Sequence, residues 1–272
     1  MRSAPPVASG IERIAEAFRG HGRAALMPYL MGGFPDMASA RAIGEAYVAA
    51  GADLIEVGVP FSDPLADGPV IQAAGTAALR AGATPEEVLR LASTLAADVP
   101  VVVMAYANIV LAQGAEAFVY GLEAAGASGL IVPDLPMEEA APLLAACDDR
   151  GLALVPLVAP TTPAERLAAI GRRARGFLYT VSVTGTTGER DEVSGSLSEV
   201  VAAAKAHADV PVAVGFGIGT PEQALAAADA GADGVIVGTR LVRAAAESPE
   251  PAAAAGQLVA AFATALGKSS GQ

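Results

Sequence analysis

The chain has 272 residues, of which 53% are apolar and 17% are charged, and its formal net charge is −12. This acidic surplus disfavours nucleic acids and anionic membrane surfaces as partners, because both require basic protein surface. The mean hydropathy of +0.46 is high, yet no apolar run approaches the ~20 residues that a membrane helix needs. An apolar fraction of this size can bury a large core, which excludes a disordered chain.

The remaining compositional signals favour a cytoplasmic protein without a metal site. Cys147 is the only cysteine, so no intrachain disulfide is expected, and the N-terminal sequence lacks the apolar run of a signal peptide. His21 and His207 have no neighbours at metal-ligand spacing, and surface roles are expected for both. The densest basic run, residues 172–175, is interpreted as a solvated helix end.

Eight short apolar runs, many of them rich in β-branched residues, are typical of parallel strands covered on both faces. Stretches rich in Ala, Leu and Glu separate them and have helical spacing. In chain order, the predicted strands are residues 25–30, 53–57, 99–105, 129–132, 152–158, 176–181, 210–214 and 234–237. The predicted helices are residues 37–50, 84–97, 114–125, 137–150, 162–173, 197–207, 221–230 and 241–266. Thr84-Pro85 and Thr220-Pro221 each place a capping hydroxyl before a proline suited to the first helical position.

A weak internal repeat supports a regular alternation of strand and helix. Ala-Gly-Ala followed by Asp or Ser occurs at residues 50–53, 125–128 and 230–233, each time between a predicted helix and a predicted strand. Eight such units fit an α/β protein with one (β/α)8 TIM-barrel domain over residues 1–272, with frayed ends at about 1–9 and 268–272. An open doubly wound sheet is the alternative, and eight regular units make it less favoured.

Carboxylates at the second predicted strand are candidates for catalysis, since barrel active sites lie at the carboxyl ends of strands. Alternation places Glu56 on the inward face beside Leu54, where burial raises a carboxyl pKa and suits a general acid or base. A core glutamate satisfied by hydrogen bonds is the alternative. The turn-rich loop at residues 60–69 then carries Asp63 and Asp67, each of which is either functional or turn-forming.

Glycine-rich segments follow the last three predicted strands, at residues 184–190, 215–219 and 238–239. Backbone N–H groups at such turns and at helix N-termini bind anions, and the loops after strands seven and eight are the usual phosphate site of a barrel. The two lysines, Lys205 and Lys268, lie off the predicted strands, which argues against Schiff-base chemistry.

Residues 55–72, IEVGVPFSDPLADGPVIQ, resemble the signature of the tryptophan synthase alpha-subunit family. Further matching segments are residues 104–108, 132–136, 215–218 and 220–223, and the likeness runs from about Gly10 to Gly267. The resemblance implies a (β/α)8 barrel that cleaves indole-3-glycerol phosphate to indole and glyceraldehyde 3-phosphate without a cofactor or metal. It also implies a beta subunit as partner, which holds pyridoxal phosphate and takes the indole, in a complex of two alpha and two beta subunits.

The resemblance also implies roles for individual residues. Glu56 would protonate indole C3 and accept the side-chain hydroxyl proton, and Asp67 would stabilise positive charge at the ring N–H. The implied phosphate-binding residues are Gly188, Gly217, Gly238 and Thr239. The implied indole-binding residues are Tyr29, Met104, Tyr106, Ile131, Val158 and Tyr179, with Thr187 as a partner of Asp67. The implied partner-facing residues are Pro60, Asp63 and Asp134, and residues 185–196 are a candidate lid.

Three positions depart from the pattern expected of this family, which has Phe where Tyr29 stands, Ser where Thr239 stands and Tyr where Phe177 stands. The changes retain side-chain size or backbone role, so they alter pocket polarity more than reaction class. Three alternatives stay open: another phosphate-binding barrel acting on a neighbouring indole or anthranilate intermediate, a stand-alone lyase that releases free indole, and a binding subunit that activates a beta subunit without chemistry. The presence of both Glu56 and Asp67 argues against the last.

Overall fold

The computed structural model describes residues 8–19, 22–181, 193–215 and 217–267, which form nine strands and twelve helices. The strands are β1 (Ala25–Met31), β2 (Ile55–Gly58), β3 (Val101–Met104), β4 (Gly129–Ile131), β5 (Ala153–Val155), β6 (Leu157–Val158), β7 (Leu178–Val181), β8 (Val212–Gly215) and β9 (Gly234–Val237). The helices are α1 (Gly10–Phe18), α2 (Met37–Ala49), α3 (Pro69–Arg80), α4 (Pro85–Leu95), α5 (Ala107–Gln113), α6 (Ala115–Ala124), α7 (Ala141–Asp148), α8 (Ala164–Gly171), α9 (Val193–Lys205), α10 (Pro221–Asp229), α11 (Thr239–Glu247) and α12 (Pro251–Ala265).

The sheet curls into a nearly closed barrel, and the (β/α)8 fold predicted from the sequence is confirmed. Its hydrogen-bonded order is β5-β4-β3-β2-β1-β9-β8-β7-β6, with parallel pairing throughout. The two ends of this order, β5 and β6, are separated in the chain by Pro156 alone. A proline has no N–H to donate, but the Pro156 carbonyl accepts the Tyr179 N–H at 3.0 Å. The predicted strand at residues 152–158 is therefore present as two pieces that join both edges of the sheet.

Side chains alternate along the strands and so divide the core into two layers. The inner layer fills the barrel, and its members include Ile14, Met27, Leu54, Val102, Ile131, Phe177, Ala213 and Ile236. The outer layer lies between strands and helices, and its members include Leu26, Ile55, Val57, Val103, Leu130 and Val235. Leu54 lies inside while Ile55 and Val57 pack outside, which is the alternation expected for the second strand. Phe18 of α1 packs against Phe177 with ring centroids 5.6 Å apart, so α1 covers the amino-terminal end of the barrel.

The Ala-Gly-Ala repeat forms the turns that lead from helix to strand. Its glycines have positive φ angles of 93°, 69° and 95°, a region that disfavours side chains, at Gly51, Gly126 and Gly231. In two copies the aspartate after the turn accepts a backbone N–H from the neighbouring strand. Asp53 accepts from Leu26 at 2.7 Å, and Asp233 accepts from Val212 at 2.8 Å. The repeat thus sets the start of adjacent strands in register.

We expect Asp53→Ala to lower the free energy of unfolding by about 2–4 kcal/mol. Arg23 donates two hydrogen bonds to Asp53, at 2.9 and 3.0 Å, and the two side chains are only 11% and 7% exposed. Removing the carboxylate leaves a buried guanidinium and the Leu26 N–H without this partner. Urea denaturation measures the loss. Glu45→Ala, which breaks an exposed pair with Arg41, is the control and should change stability by about 0.5 kcal/mol or less; equal losses in both variants would contradict this role.

Several elements differ from the sequence prediction. Three helices were not predicted: α1, α3 and α5. The predicted helix at residues 241–266 is two helices, α11 and α12, because Pro249 and Pro251 cannot continue a helix interior. Helix α9 begins at Val193, inside the candidate lid, whose earlier residues lie outside the described ranges. Ser9, expected to be frayed, caps α1 in a capping box with Glu12. Within the described ranges, no helix has the length and apolar character needed to cross a membrane.

Candidate active site

Glu56 is a buried carboxyl at the mouth of the barrel. It lies on β2 with Tyr29 of β1 and Val102 of β3 as its register partners, and it is 1% exposed. Neither carboxyl oxygen has a hydrogen-bond partner among the described residues. Burial, with a smaller contribution from the negative charge of Asp67, raises its pKa to about 8. Because an unpartnered buried carboxyl is costly to keep, this position is a candidate for chemistry rather than for stability.

Asp67 lies on the loop after β2, where Tyr106 and Gln72 hold the loop. The Tyr106 hydroxyl accepts the Ala66 N–H at 3.1 Å, and its ring stacks on Phe61 with centroids 5.2 Å apart. The Gln72 amide donates to the Asp67 carbonyl at 2.9 Å. Burial raises the pKa of Asp67 to about 6, and a hydrogen bond with the Tyr106 hydroxyl opposes part of that rise. The loop therefore presents a partly buried carboxylate to the barrel mouth.

The environments of the two carboxyls separate their pKa values. Glu56, with a pKa of about 8, is mostly protonated at neutral pH, whereas Asp67, with a pKa of about 6, is mostly ionised. Such a pair supplies one proton donor and one fixed negative charge in the same site. The arrangement suits a reaction that protonates a substrate and stabilises the cation that results.

Two buried tyrosines flank the carboxyls, and two strand-end glycines make room for them. The Tyr29 ring lies against Gly58, and the Tyr179 ring lies against Gly215, so closely that a Cβ atom at either glycine would collide with the ring. Burial raises the pKa of both phenols well above the usual value, and the charges of Glu56 and Asp67 raise it further. This role of Gly58 and Gly215 was not predicted from the sequence, although a glycine at a strand end is a signal of close approach.

The structure brings most of the predicted indole-binding residues to the carboxyl ends of the strands. Met104 and Ile131 are register partners at the ends of β3 and β4. Ile131 belongs to the inner layer, and Met104 packs against it. Val158 is the exception, because its register partner is Thr180 and not the inward-facing Tyr179. Its neighbour Leu157 packs on the inner layer opposite Tyr179. The geometry therefore favours Leu157 over Val158 as a pocket residue.

The predicted phosphate residues that the structure describes lie at two adjacent strand ends. Gly217 follows β8 with a φ of 79°, and Gly238 follows β9 as the N-cap of α11. Gly238 makes no side-chain cap, so the first backbone N–H groups of α11, beginning at Thr239, are available to an anion. Gly188 and Thr187 lie outside the described residues.

Two of the three predicted partner-facing residues are exposed on or near segments that also carry exposed leucines. Asp63 and Asp134 are exposed, whereas Pro60 is buried. Asp134 also has a structural role, because its carboxylate accepts the Ala107 N–H at the start of α5 at 2.8 Å. Leu65 and Leu111 are 83% and 65% exposed on the loop after β2 and on α5. We name Leu65, Leu111, Asp63 and Asp134 the rim surface; its two leucines were not among the residues predicted from the sequence.

The remaining candidates have ordinary surroundings. Lys205 pairs with Asp233 at 2.7 Å at the end of α9, away from the barrel interior. Arg175, from the basic run, is part of a two-bond ion pair with Asp148, at 3.0 and 3.1 Å, so it is not merely solvated. Among the residues that the structure describes, no group of three or more His, Cys, Asp or Glu side chains could hold a metal ion. His21 lies outside these residues.

The barrel carries two carboxyl groups with different pKa values at its mouth, near a helix N-terminus that is open to an anion. These features are typical of barrel enzymes that perform acid–base chemistry. Comparison with known proteins gives the family. The family model described as "Tryptophan synthase alpha chain" matches residues 16–269. The chain therefore belongs to the tryptophan synthase alpha chain family.

Individual relatives agree with this assignment. The chain is 50% identical over 230 residues to the tryptophan synthase alpha chain of Synechococcus sp. strain CC9902, which covers 84% of this chain and 86% of the relative. The Methanosarcina mazei alpha chain is 47% identical over 239 residues, with 88% and 86% covered. Among solved structures, Mycobacterium tuberculosis tryptophan synthase superposes with a TM-score of 0.86 at 40% identity, covering 95% of this chain and 99% of that one. The Legionella pneumophila alpha subunit gives 0.87 at 34% identity, covering 96% and 99%.

Membership in this family defines the reaction. The alpha subunit is a carbon–carbon lyase of tryptophan biosynthesis that cleaves indole-3-glycerol phosphate and passes indole to the beta subunit. The alpha subunit carries no cofactor, and pyridoxal phosphate belongs to the beta subunit. Of the alternatives, a stand-alone lyase is not favoured.

Proposed function

We propose that Glu56 is the acid and base of the cleavage and that Asp67 is the fixed negative charge that stabilises its cationic intermediate. The observation that supports this proposal is that Glu56 is buried with no hydrogen-bond partner among the described residues, while the negative charge of Asp67 acts on it. A carboxyl kept neutral by burial can give a proton at neutral pH, and the same group can then take one back.

The chemistry then follows from these two groups. Protonated Glu56 donates its proton to indole C3, and the ring becomes an indoleninium cation. The Asp67 carboxylate stabilises the positive charge at the ring N–H. The Glu56 carboxylate then removes the proton from the hydroxyl on the carbon attached to C3. The carbon–carbon electron pair returns to the ring, which releases indole and glyceraldehyde 3-phosphate.

We propose that the substrate phosphate binds to the backbone of Gly217, Gly238 and Thr239, together with Gly188 from the segment outside the described residues. The helix N-terminus at Gly238 supports this placement, because its N–H groups and dipole favour an anion. A local site is needed because the net charge of −12 repels a phosphate over the rest of the surface.

We propose further that the rim surface docks the beta subunit in a complex of two alpha and two beta subunits in the cytoplasm. Two exposed leucines beside two carboxylates fit an interface with an apolar centre and a polar edge. The surface adjoins the barrel mouth, so a partner seated there receives indole directly. The single cysteine fits a reducing compartment.

Titration of a beta subunit into a cleavage assay of the isolated chain tests the proposed function. We expect measurable turnover of indole-3-glycerol phosphate by the chain alone and a large increase on adding the beta subunit. Turnover without any increase would favour the stand-alone lyase, and no turnover in either state would contradict the catalytic proposal.

Leu111→Asp should raise the concentration of beta subunit that gives half-maximal stimulation by about tenfold or more, because it places a charge in the centre of the proposed interface. Leu225→Asp on α10 is the matched control, since Leu225 is also an exposed leucine, and it should leave the titration unchanged. The same half-saturating concentration in both variants would contradict docking at the rim surface.

A further inference from the structure

Tyr106 joins two segments of the site through one hydroxyl group. It follows β3 as the N-cap residue of α5, and its side chain is 3% exposed. The hydroxyl oxygen accepts the Ala66 N–H at 3.1 Å, one residue before Asp67, and the same hydroxyl hydrogen-bonds the Asp67 side chain. A phenol has one hydrogen to donate and lone pairs that accept. The Ala66 N–H uses a lone pair, so the hydroxyl hydrogen is available to the carboxylate.

The Tyr106 side chain is held at both of its ends. Its ring stacks on Phe61, with centroids 5.2 Å apart and an angle of 28° between the planes. At the backbone, the Asp134 carboxylate accepts the N–H of Ala107, the next residue, at 2.8 Å. A side chain that is already ordered loses little further rotamer freedom when it forms hydrogen bonds. The hydroxyl therefore meets the loop of Asp67 from a fixed position.

The charges around this hydroxyl keep it protonated and therefore a donor. Burial and then the negative charge of Asp67 raise the pKa of Tyr106 above its ordinary value, and the charge of Asp134 acts in the same direction. The phenol thus keeps its hydrogen across the neutral range. The other titratable groups that interact with Asp67 lie on three strands: Glu56 on β2, Tyr29 on β1 and Tyr179 on β7.

We propose that Tyr106 is the positioning residue of Asp67: its hydroxyl accepts the Ala66 N–H, donates to the Asp67 carboxylate, and so holds that carboxylate ionised and aimed at the substrate ring. A donor to a carboxylate favours its ionised form, and Asp67 needs this form to stabilise a cationic ring. The bond to Ala66 fixes the backbone beside it. This inference rests on the role of Asp67 in the proposed function, and it adds to the indole contact that the family resemblance implies for the Tyr106 ring.

Tyr106→Phe tests the proposal in the full chain, because it removes the hydroxyl and keeps the ring on Phe61. The pKa of Asp67 is about 6 in the parent, and loss of a donor raises it. We expect the acid limb of kcat/KM for cleavage of indole-3-glycerol phosphate to move to higher pH by about one unit. This shift alone lowers kcat/KM by about fivefold near pH 6 and by less than about twofold near pH 8.

The same variant should separate kcat from KM. With Asp67 less well aimed, kcat at the optimal pH should fall by about three- to tenfold, while KM changes by less than about twofold because the ring is retained. A folded Tyr106→Phe variant with the acid limb of the parent would overturn the proposal.

Gln72→Leu is the matched control for a loosened loop. The Gln72 amide donates to the backbone carbonyls of Asp67 and Pro64, at 2.9 and 3.4 Å, so these bonds hold the same loop without involving the Asp67 carboxylate. We expect its acid limb to stay at the parent's pH, whatever the change in kcat. Equal shifts in Gln72→Leu and Tyr106→Phe would show that a loosened loop, rather than a lost phenol donor, raises the pKa of Asp67, and the proposal would be wrong.

The amide proton of Ala66 gives a second readout in the parent, which decides the matter if Tyr106→Phe fails to fold. Ionisation of Asp67 polarises a hydroxyl that donates to it, and a polarised hydroxyl is a stronger acceptor for the Ala66 N–H. The Ala66 amide resonance should therefore move downfield with a midpoint near pH 6, the pKa of Asp67. A resonance that does not titrate between about pH 5 and 7 would contradict the proposal.

These experiments distinguish this inference from the proposed function. An active Asp67→Asn variant would remove the catalytic role of Asp67, whatever Tyr106 does. An inactive Asp67→Asn variant, combined with an Ala66 resonance that does not titrate or an unshifted Tyr106→Phe profile, would overturn the role of Tyr106 alone.

Discussion

Glu56→Gln should lower kcat for cleavage of indole-3-glycerol phosphate by on the order of 10³-fold or more, while substrate still binds. Glutamine has the size of the protonated carboxyl that burial favours at this position, but it can neither give a proton to indole C3 nor take one from the hydroxyl. Single-turnover cleavage measures the rate of the chemical step, and an equilibrium binding experiment measures whether the variant still binds substrate. A variant that keeps a tenth or more of the parent rate would contradict the assignment.

The stability of the same variant excludes unfolding as the cause. The folded-state pKa of Glu56 is raised to about 8 from an ordinary value of 4.5, so the folded chain holds a proton that the unfolded chain releases between those values. Parent stability therefore falls as pH rises through this window. Glutamine removes that dependence, so Glu56→Gln should be at least as stable as the parent at neutral pH. An inactive but more stable variant is the signature of a residue kept for chemistry.

Asp67→Asn should lower kcat for cleavage of indole-3-glycerol phosphate by about 10²- to 10³-fold. Asparagine keeps the shape of Asp67 but removes the negative charge that stabilises the indoleninium. Binding of substrate should change less than kcat, because the charge on the ring develops only during the reaction.

Asp63→Asn is the matched control, since Asp63 lies on the same loop but is exposed. In the isolated chain it should keep nearly the parent activity. Equal losses in Asp63→Asn and Asp67→Asn would show that the loop, rather than the Asp67 charge, is responsible.

The sequence predicted those features of the site that follow from alternation along one strand. Glu56 points inward because Leu54 does, while Ile55 and Val57 pack against helices, and counting residues in an apolar run is enough to see this. The same rule, applied from Ala153, gives Leu157 rather than Val158 as the inward residue. Because residues 152–158 form one continuous apolar run, the sequence prediction treated them as a single strand and did not detect the junction of β5 and β6 at Pro156. The inward position of Leu157 was missed for the same reason.

Features that depend on contacts between distant segments could not be predicted from local pattern. Tyr106 holds the loop of Asp67 through the Ala66 N–H, a contact across 40 residues of sequence. Asp134 was interpreted only as a partner-facing residue, yet it also caps α5. The pKa values of Glu56 and Asp67 likewise depend on how completely the barrel mouth buries each group, and this depends on all the strands that surround it.

In the proposed mechanism, burial keeps Glu56 protonated at neutral pH so that it can supply the proton to indole C3. An infrared pH titration of the parent, with Glu56→Gln subtracted, measures this protonation state directly. We expect a carboxylic-acid carbonyl band at pH 7 that disappears with a midpoint near pH 8, and we expect the single-turnover rate to fall over the same pH range. A Glu56 carboxyl that is already ionised at pH 7, with a midpoint near the ordinary value of 4.5, would contradict this mechanism.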